Sequence, residues 1–164
     1  IIIKMRSNLT CPTALIHQLF AHAAATVVLF NRLYQPDIDI DTMAQTSGMV
    51  FSQQSDLGNT LRWLGIASAQ IPQLDMAASG GIHEPQDVVK AILAGATAVE
   101  ICSAIYLQGE TFIAQCAEFL TEWLQGKGIP TIAEAKGRLN QKNVSDNSTF
   151  ERAQFMRYYS SHEQ

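Results

Sequence analysis

Short apolar runs and longer segments with helical periodicity alternate along almost the whole chain. Continuous β-branched runs favour strands buried on both faces, and apolar residues spaced three or four apart favour helices. The pattern predicts strands at residues 1–6, 26–31, 74–79 and 98–103. It predicts helices at residues 14–24, 56–71, 85–95, 111–124 and 132–136. This order is typical of a parallel sheet with right-handed crossovers, either a small open sheet or half of a (β/α)8 barrel.

Residues 32–55 interrupt the alternation. We expect a long excursion there, with a short strand or hairpin around residues 49–52, followed by Asp56 as a helix cap. The excursion contains three aspartates, Asp37, Asp39 and Asp41. Their spacing resembles a calcium loop, but the Gly and distal Glu that such a loop needs at fixed offsets are absent. We therefore expect no metal site.

Composition excludes several classes of protein. The net charge is −4 and no cluster of Lys or Arg occurs, which argues against nucleic acid or an anionic membrane surface as partner. No apolar run reaches the roughly 20 residues of a membrane span. The three cysteines are widely spaced without a CxxC pair, as expected for reduced thiols in a cytoplasmic protein. Charged residues make up only 16% of the chain, so we expect much of its surface to be buried or covered by a partner.

The two ends of the chain are unusual in different ways. The sequence opens on three isoleucines without an initiator Met, like a strand entered partway, so we expect preceding sequence to be missing. Residues 140–164 form a polar C-terminal tail in which three apolar side chains could dock on the rest of the protein: Phe150, Phe155 and Met156.

A glycine pair gives the strongest local signal for a ligand. Gly80 and Gly81 end a predicted strand and precede a helix, where backbone N–H groups can approach an anion closely. In (β/α)8 barrels, the loops after strands 7 and 8 commonly bind phosphate. Residues 101–106, which follow the next strand, would form the second half of such a site. A tight turn that binds nothing explains a lone glycine pair equally well, and the pairing of the two loops favours phosphate.

Two charged residues lie within predicted strands. Lys4 could direct its ammonium into a ligand pocket, or extend from the strand end to water, which is the better interpretation of Lys4 alone. Glu100 could be a functional carboxylate, but a polar partner in the barrel interior is the better interpretation.

Asn31 and Arg32 end the second predicted strand. The Asn31 amide could bind a carbonyl or carboxylate, although an ordinary turn residue is the simpler explanation of Asn31 alone. Arg32 could bind a carboxylate in a bidentate manner, or pair at the surface with Asp37 or Asp39. From the residues alone we favour the surface pair.

Four segments resemble the C-terminal half of the dihydroorotate dehydrogenase family. They are NRLYQPDID at 31–39, LRWLGIAS at 61–68, AASGGIHEPQDVVKAILAGATAVEICSAIYLQG at 77–109 and FERAQFMRYY at 150–159. The resemblance implies an FMN-binding (β/α)8 barrel, with residues 1–164 forming about four C-terminal βα units of one domain. It also implies a partner for this half, either the N-terminal half of the barrel or a second chain, and a homo-oligomer.

The resemblance also implies residue roles. The FMN-binding residues would be Lys4, Ser52, Gly80, Gly81, Cys102 and Ser103. Lys4 would contact the flavin ring, and the glycines with Cys102 and Ser103 would hold the phosphate. Asn31 and Arg32 would contact substrate, although Arg32 stands where many members carry Ser or Thr, so a related dihydropyrimidine could replace dihydroorotate. The catalytic base would lie upstream, and none of the three cysteines takes that role.

The implied activity is oxidation of dihydroorotate to orotate in pyrimidine biosynthesis. A base would remove the C5 proton while hydride passes from C6 to flavin N5. Because that base would lie upstream, this half alone should be inactive.

Two alternatives stay open from the residues. One is a flavin-free phosphate-binding (β/α)8 enzyme of the aldolase or synthase type, with a Schiff base at Lys4. The other is a non-catalytic half-barrel that serves as an assembly piece.

Overall fold

The computed structural model describes residues 1–33 and 35–151. The strands of this part are β1 (Ile2–Arg6), β2 (Thr26–Asn31), β3 (Pro36–Asp39), β4 (Ala44–Ser47), β5 (Asp75–Ser79) and β6 (Ala98–Glu100). The helices are α1 (Pro12–Ala21), α2 (Leu57–Gln70), α3 (Pro85–Ala94), α4 (Ser103–Gln108), α5 (Thr111–Gly126), α6 (Ile132–Ala135) and α7 (Ser148–Glu151), with a 3-10 turn at Gln54–Asp56. In this part of the chain no helix combines the length and apolarity needed to cross a bilayer.

The main sheet is parallel and has the strand order β1-β2-β5-β6. Each new strand therefore adds beside the previous one, as in a barrel, whereas a doubly wound sheet reverses direction. Among the strands of the described residues, β3 and β4 form a separate antiparallel hairpin. The fold is an α/β half-barrel, as the alternation in the sequence predicts.

Side chains of the two edge strands, β1 and β6, meet across the concave face of the half-barrel. Three strand spacings would separate β1 from β6 by about 14 Å in a flat sheet. Nevertheless, Lys4 Nζ on β1 lies 2.6 Å from Glu100 Oε2 on β6. Glu100 is thus a polar partner of Lys4, as the sequence predicts, and its place in the interior of a complete barrel stays a prediction.

Helices cover the convex face of the sheet. Alternate strand residues, among them Met5, Val27 and Met76, are buried there against Ile16 of α1 and Leu64 of α2. A second apolar cluster lies between α3 and α5, around Phe112 and Cys116. The packing leaves the concave face and the carboxyl ends of the strands free to form a site.

Three predicted boundaries are wrong. The strand at 98–103 ends at Glu100, because Cys102 O accepts the Tyr106 N–H and a helix begins at Ser103. The helix at 14–24 ends at Ala21, because Ala23 adopts a left-handed φ of 61°. The expected hairpin at 49–52 lies earlier, at β3 and β4.

Side-chain carboxylates explain the shape of the excursion between β2 and α2. Asp39 Oδ1 accepts the N–H groups of Asp41 and Thr42, which closes the turn between β3 and β4 and holds the pKa of Asp39 below its usual range. Asp56 occupies the N-cap position of α2, as expected, but its side chain makes no capping hydrogen bond to that helix. Its carboxylate instead accepts the Gln53 N–H at 2.9 Å and closes the 3-10 turn.

The described part of the predicted tail packs on α2. Asn140 is buried, and Gln141 N–H donates to Gly65 O at 3.1 Å. The Phe150 ring lies against Gly65, where a Cβ would come within 2.3 Å of Phe150 Cε1. The predicted docking residues Phe155 and Met156 lie outside the described residues.

Candidate functional site

The carboxyl ends of all four strands of the main sheet open into one cleft of about 210 Å³. Parallel strands end at the same edge of a sheet, so the residues that follow them converge. Every site residue that the resemblance implies lines this cleft: Lys4, Asn31, Arg32, Ser52, Gly80, Gly81, Cys102 and Ser103. Glu100 and Ser79 lie among them.

The glycine pair forms a tight turn at the base of the cleft. Gly80 and Gly81 have φ values of 91° and 79°, which side chains rarely tolerate. A Cβ on Gly81 would lie 2.3 Å from Leu57 N, so the turn sits directly against the start of α2. A Cβ on Gly80 would meet nothing within 4 Å. Within residues 1–33 and 35–151, we find no protein acceptor for the backbone N–H groups of this pair.

Hydroxyl groups from two other loops adjoin the glycine turn. Ser52 N–H donates to Ser103 Oγ at 3.0 Å, and Ser52 Oγ lies 3.1 Å from His83 Nε2. Gln108 Nε2 donates to His83 O at 2.9 Å. The sequence reasoning missed His83, although its position two residues after the glycine pair was a usable signal. These contacts tie the loops after β4, β5 and β6 into one structure.

A buried carboxylate fixes the loop after β5. Asp87 is fully buried and accepts hydrogen bonds from His83 N–H at 3.1 Å, Glu84 N–H at 3.0 Å and Lys90 Nζ at 2.8 Å. Burial raises the pKa of Asp87, but these hydrogen bonds outweigh it and hold the pKa below its usual range. The sequence indicates only that Asp87 suits the positive end of α3.

The two strand-end residues behave differently. Asn31 is exposed at the end of β2 and is free to face a ligand from its edge of the cleft. The favoured surface pairing of Arg32 with Asp37 or Asp39 is wrong. Arg32 Nη1 instead donates to the carbonyls of residues 49, 50 and 51, and Nε lies 3.5 Å from Asp56 Oδ2.

A second cleft of about 600 Å³ adjoins the first and shares Asn31, Arg32 and Gly80 with it. Its volume is within the range of roughly 300 to 1,000 Å³ that is common for small-molecule sites. Polar groups that the sequence reasoning missed face this space: Ser7, Asn8, Asn59 and Thr60. Ser7 and Asn8 directly follow β1, so their place at the shared edge of the sheet was a usable signal.

The cysteines differ in environment, and all three are free thiols. Cys116 is buried between α3 and α5, and burial raises the pKa of its thiol. Cys11 is exposed, and the Thr13 hydroxyl lowers its pKa. Only Cys102 lines the cleft.

Comparison with known proteins points to one family, although no family model matches the chain. The catalytic subunit of dihydroorotate dehydrogenase B (NAD(+)) from Pyrococcus furiosus is 40% identical over 58 residues, 35% of this chain and 19% of that protein. The subunit of the same name from Phocaeicola vulgatus is 25% identical over 144 residues, 85% of this chain and 46% of that protein.

Solved structures that resemble this fold are also dihydroorotate dehydrogenases. A dihydroorotate dehydrogenase (DHODH) from Eimeria tenella, in complex with ferulenol, superposes with a TM-score of 0.69 at 21% identity. The match covers 83% of this chain and 37% of that protein. At most, the chain spans about half the length of these relatives. The chain is therefore similar in sequence to dihydroorotate dehydrogenases and shares their fold.

Proposed function

We propose that this chain forms the FMN-binding half of a flavoenzyme that oxidises dihydroorotate, or a related dihydropyrimidine, to orotate in pyrimidine biosynthesis. The observation that carries the proposal is the convergence of Lys4, Asn31, the glycine pair and Ser103 on one cleft. The relatives named above support the reaction class.

The chemistry of the cleft fits the phosphate of FMN. A phosphate accepts hydrogen bonds and is bound well by backbone N–H groups and hydroxyls that have no competing acceptor. Gly80 and Gly81 supply such N–H groups, and the hydroxyls of Ser52 and Ser103 lie on neighbouring loops. Cys102 lines the same end of the cleft. These residues would hold the phosphate.

Lys4 and Asn31 would act at the other end of the ligand. Bound FMN would supply the hydride acceptor for the reaction. The Lys4 ammonium would stabilise negative charge on the flavin ring, and Glu100 at 2.6 Å fixes its position. The Asn31 amide would orient the substrate from the end of β2. We assign the proton-accepting base to the part of the barrel that this chain does not supply.

That other part would come from an N-terminal half of the same protein or from a second chain, and the assembly would be a homo-oligomer. The half-exposed pair of Lys4 and Glu100 on the concave face supports a second part of the barrel, because a closed barrel would cover that pair. We also propose a cytoplasmic location, in keeping with the free thiols.

The test is anaerobic reduction of the flavin in the full-length protein. We expect purified protein to bind FMN and the yellow absorbance to bleach when dihydroorotate is added. Asn31→Ala should keep FMN but weaken dihydroorotate binding by about tenfold or more, since each lost hydrogen bond to a polar ligand costs roughly 1 to 1.5 kcal/mol. Exposed Asn147→Ala is the matched control.

The outcomes separate the competing functions. Bound FMN that dihydroorotate does not bleach would exclude this substrate, and a protein that never binds FMN would exclude the flavoenzyme. A borohydride-trapped adduct on Lys4 would support the aldolase type. The structure offers that chemistry little support, because Lys4 Nζ is already paired with Glu100 Oε2 at 2.6 Å.

A further inference from the structure

We propose that Arg32 is a positioning residue that clamps the loop carrying Ser52, rather than a ligand of the substrate. We name residues 48–53 the clamped loop. The part of the proposal that concerns FMN rests on the function proposed above, and the part that concerns the loop does not.

The contacts of Arg32 are concentrated on the clamped loop. Arg32 Nη1 donates to Met49 O at 2.7 Å, Val50 O at 2.9 Å and Phe51 O at 2.5 Å. Three successive carbonyl groups therefore turn towards one guanidinium nitrogen. Arg32 Nε lies 3.5 Å from the Asp56 carboxylate, which closes the 3-10 turn that follows the loop.

The clamped loop has little apolar burial of its own. Met49 is 60% exposed and Val50 is 53% exposed, so their side chains do not anchor the backbone. The Phe51 ring lies against Tyr106, with the ring centroids 4.7 Å apart. Loops with few buried contacts open at low free-energy cost unless polar contacts hold them. Arg32 supplies those contacts from the position directly after β2, an inner strand of the main sheet.

Ser52 connects the clamp to the proposed phosphate end of the cleft. It follows the last clamped carbonyl directly, and it bonds to Ser103 Oγ through its N–H and to His83 Nε2 through its hydroxyl. A shift of the clamped loop would therefore move Ser52 away from both partners. Arg32 thus acts on the phosphate end through the loop, although it lies next to Asn31.

The same contacts limit what else Arg32 can bind. A bidentate grip on a carboxylate uses two parallel N–H groups of one guanidinium. The Nη1 and Nε groups of Arg32 already face loop carbonyls and Asp56. A substrate carboxylate would have to displace one of these sets of contacts.

Hydrogen exchange of the full-length protein without ligand tests the clamp directly. We expect Arg32→Gln to accelerate amide exchange in the clamped loop by about tenfold or more, while the exchange rates in helix α2 stay unchanged. Arg32→Lys, which keeps the charge but not the planar fork, should give an intermediate acceleration and guards against misfolding of the first variant. The control is Arg62→Gln, because Arg62 stacks on Trp63 in α2 and does not contact the loop.

Ligand titrations of the same variants provide the second readout. Arg32→Gln should weaken FMN binding by about fivefold or more. The affinity for riboflavin should stay within about twofold of the unmodified protein's, and so should the affinity for dihydroorotate measured at saturating FMN. Unchanged loop exchange in both Arg32 variants, or a loss of dihydroorotate affinity without any loss for FMN, would overturn the clamp. If the unmodified protein binds no FMN, the proposed function fails, and the exchange experiment alone decides the clamp.

Discussion

Gly81→Ala should destabilise the full-length protein by about 3 kcal/mol or more. Two costs add: strain in the left-handed backbone, about 1 to 3 kcal/mol, and an overpacked contact of about the same size. The φ of Gly81 is 79°, and the new Cβ would lie 2.3 Å from Leu57 N. The nearest neighbours of that Cβ include the backbone of α2, so a rotamer change cannot relieve the contact. Urea unfolding of the variant and the unmodified protein measures the difference.

Gly80→Ala is the matched control for this substitution. Gly80 has a similar φ of 91°, but its Cβ would meet nothing within 4 Å. We expect a smaller loss of about 1 to 3 kcal/mol there, from the backbone strain alone. Equal losses at the two positions would show that the contact between the glycine turn and α2 is not as close as described.

Asp87→Ala should cost about 3 kcal/mol, because it leaves the N–H groups of His83 and Glu84 without their acceptor inside the protein. The pair with Lys90 adds little, since the Lys90 side chain is 49% exposed. Thermal or urea unfolding measures the loss. Glu118→Gln, at an exposed carboxylate on α5, should change stability by less than about 0.5 kcal/mol.

The stability that Asp87 provides should depend on pH in a defined direction. Its folded-state pKa is lowered, so its contribution is fully present above the unfolded pKa of about 4 and is lost as pH falls through the folded pKa. Asp87→Asn should flatten the stability profile in that acidic range. A profile as steep as that of the unmodified protein would contradict the role given to Asp87.

The parts of the fold that follow from local pattern could be predicted from the sequence. The run at Thr26–Asn31 is continuously apolar from Val27 to Phe30, and the strand has the predicted bounds in the structure. The glycine pair lies at the end of β5, as its position after an apolar run predicts. The convergence of the predicted site residues follows from the parallel order of the strands.

The contacts that decide the detail of the site could not be predicted in the same way. Arg32 has aspartates close by in sequence, yet its acceptors are backbone carbonyls 17 to 19 residues away. Carbonyl groups occur at every residue, so no sequence pattern marks the three that turn inwards. The network of Ser52, His83 and Ser103 likewise joins three loops that only the folded sheet brings together.

The central claim is that the glycine turn and Ser103 bind the phosphate of a flavin nucleotide. Equilibrium titration of the full-length protein with FMN and with riboflavin, which lacks the phosphate, tests it most directly. We predict that FMN binds about a hundredfold more tightly, or about 2.7 kcal/mol, and that Ser103→Ala narrows the difference. Equal affinities for the two flavins would contradict the claim, because the phosphate would then contribute nothing to binding.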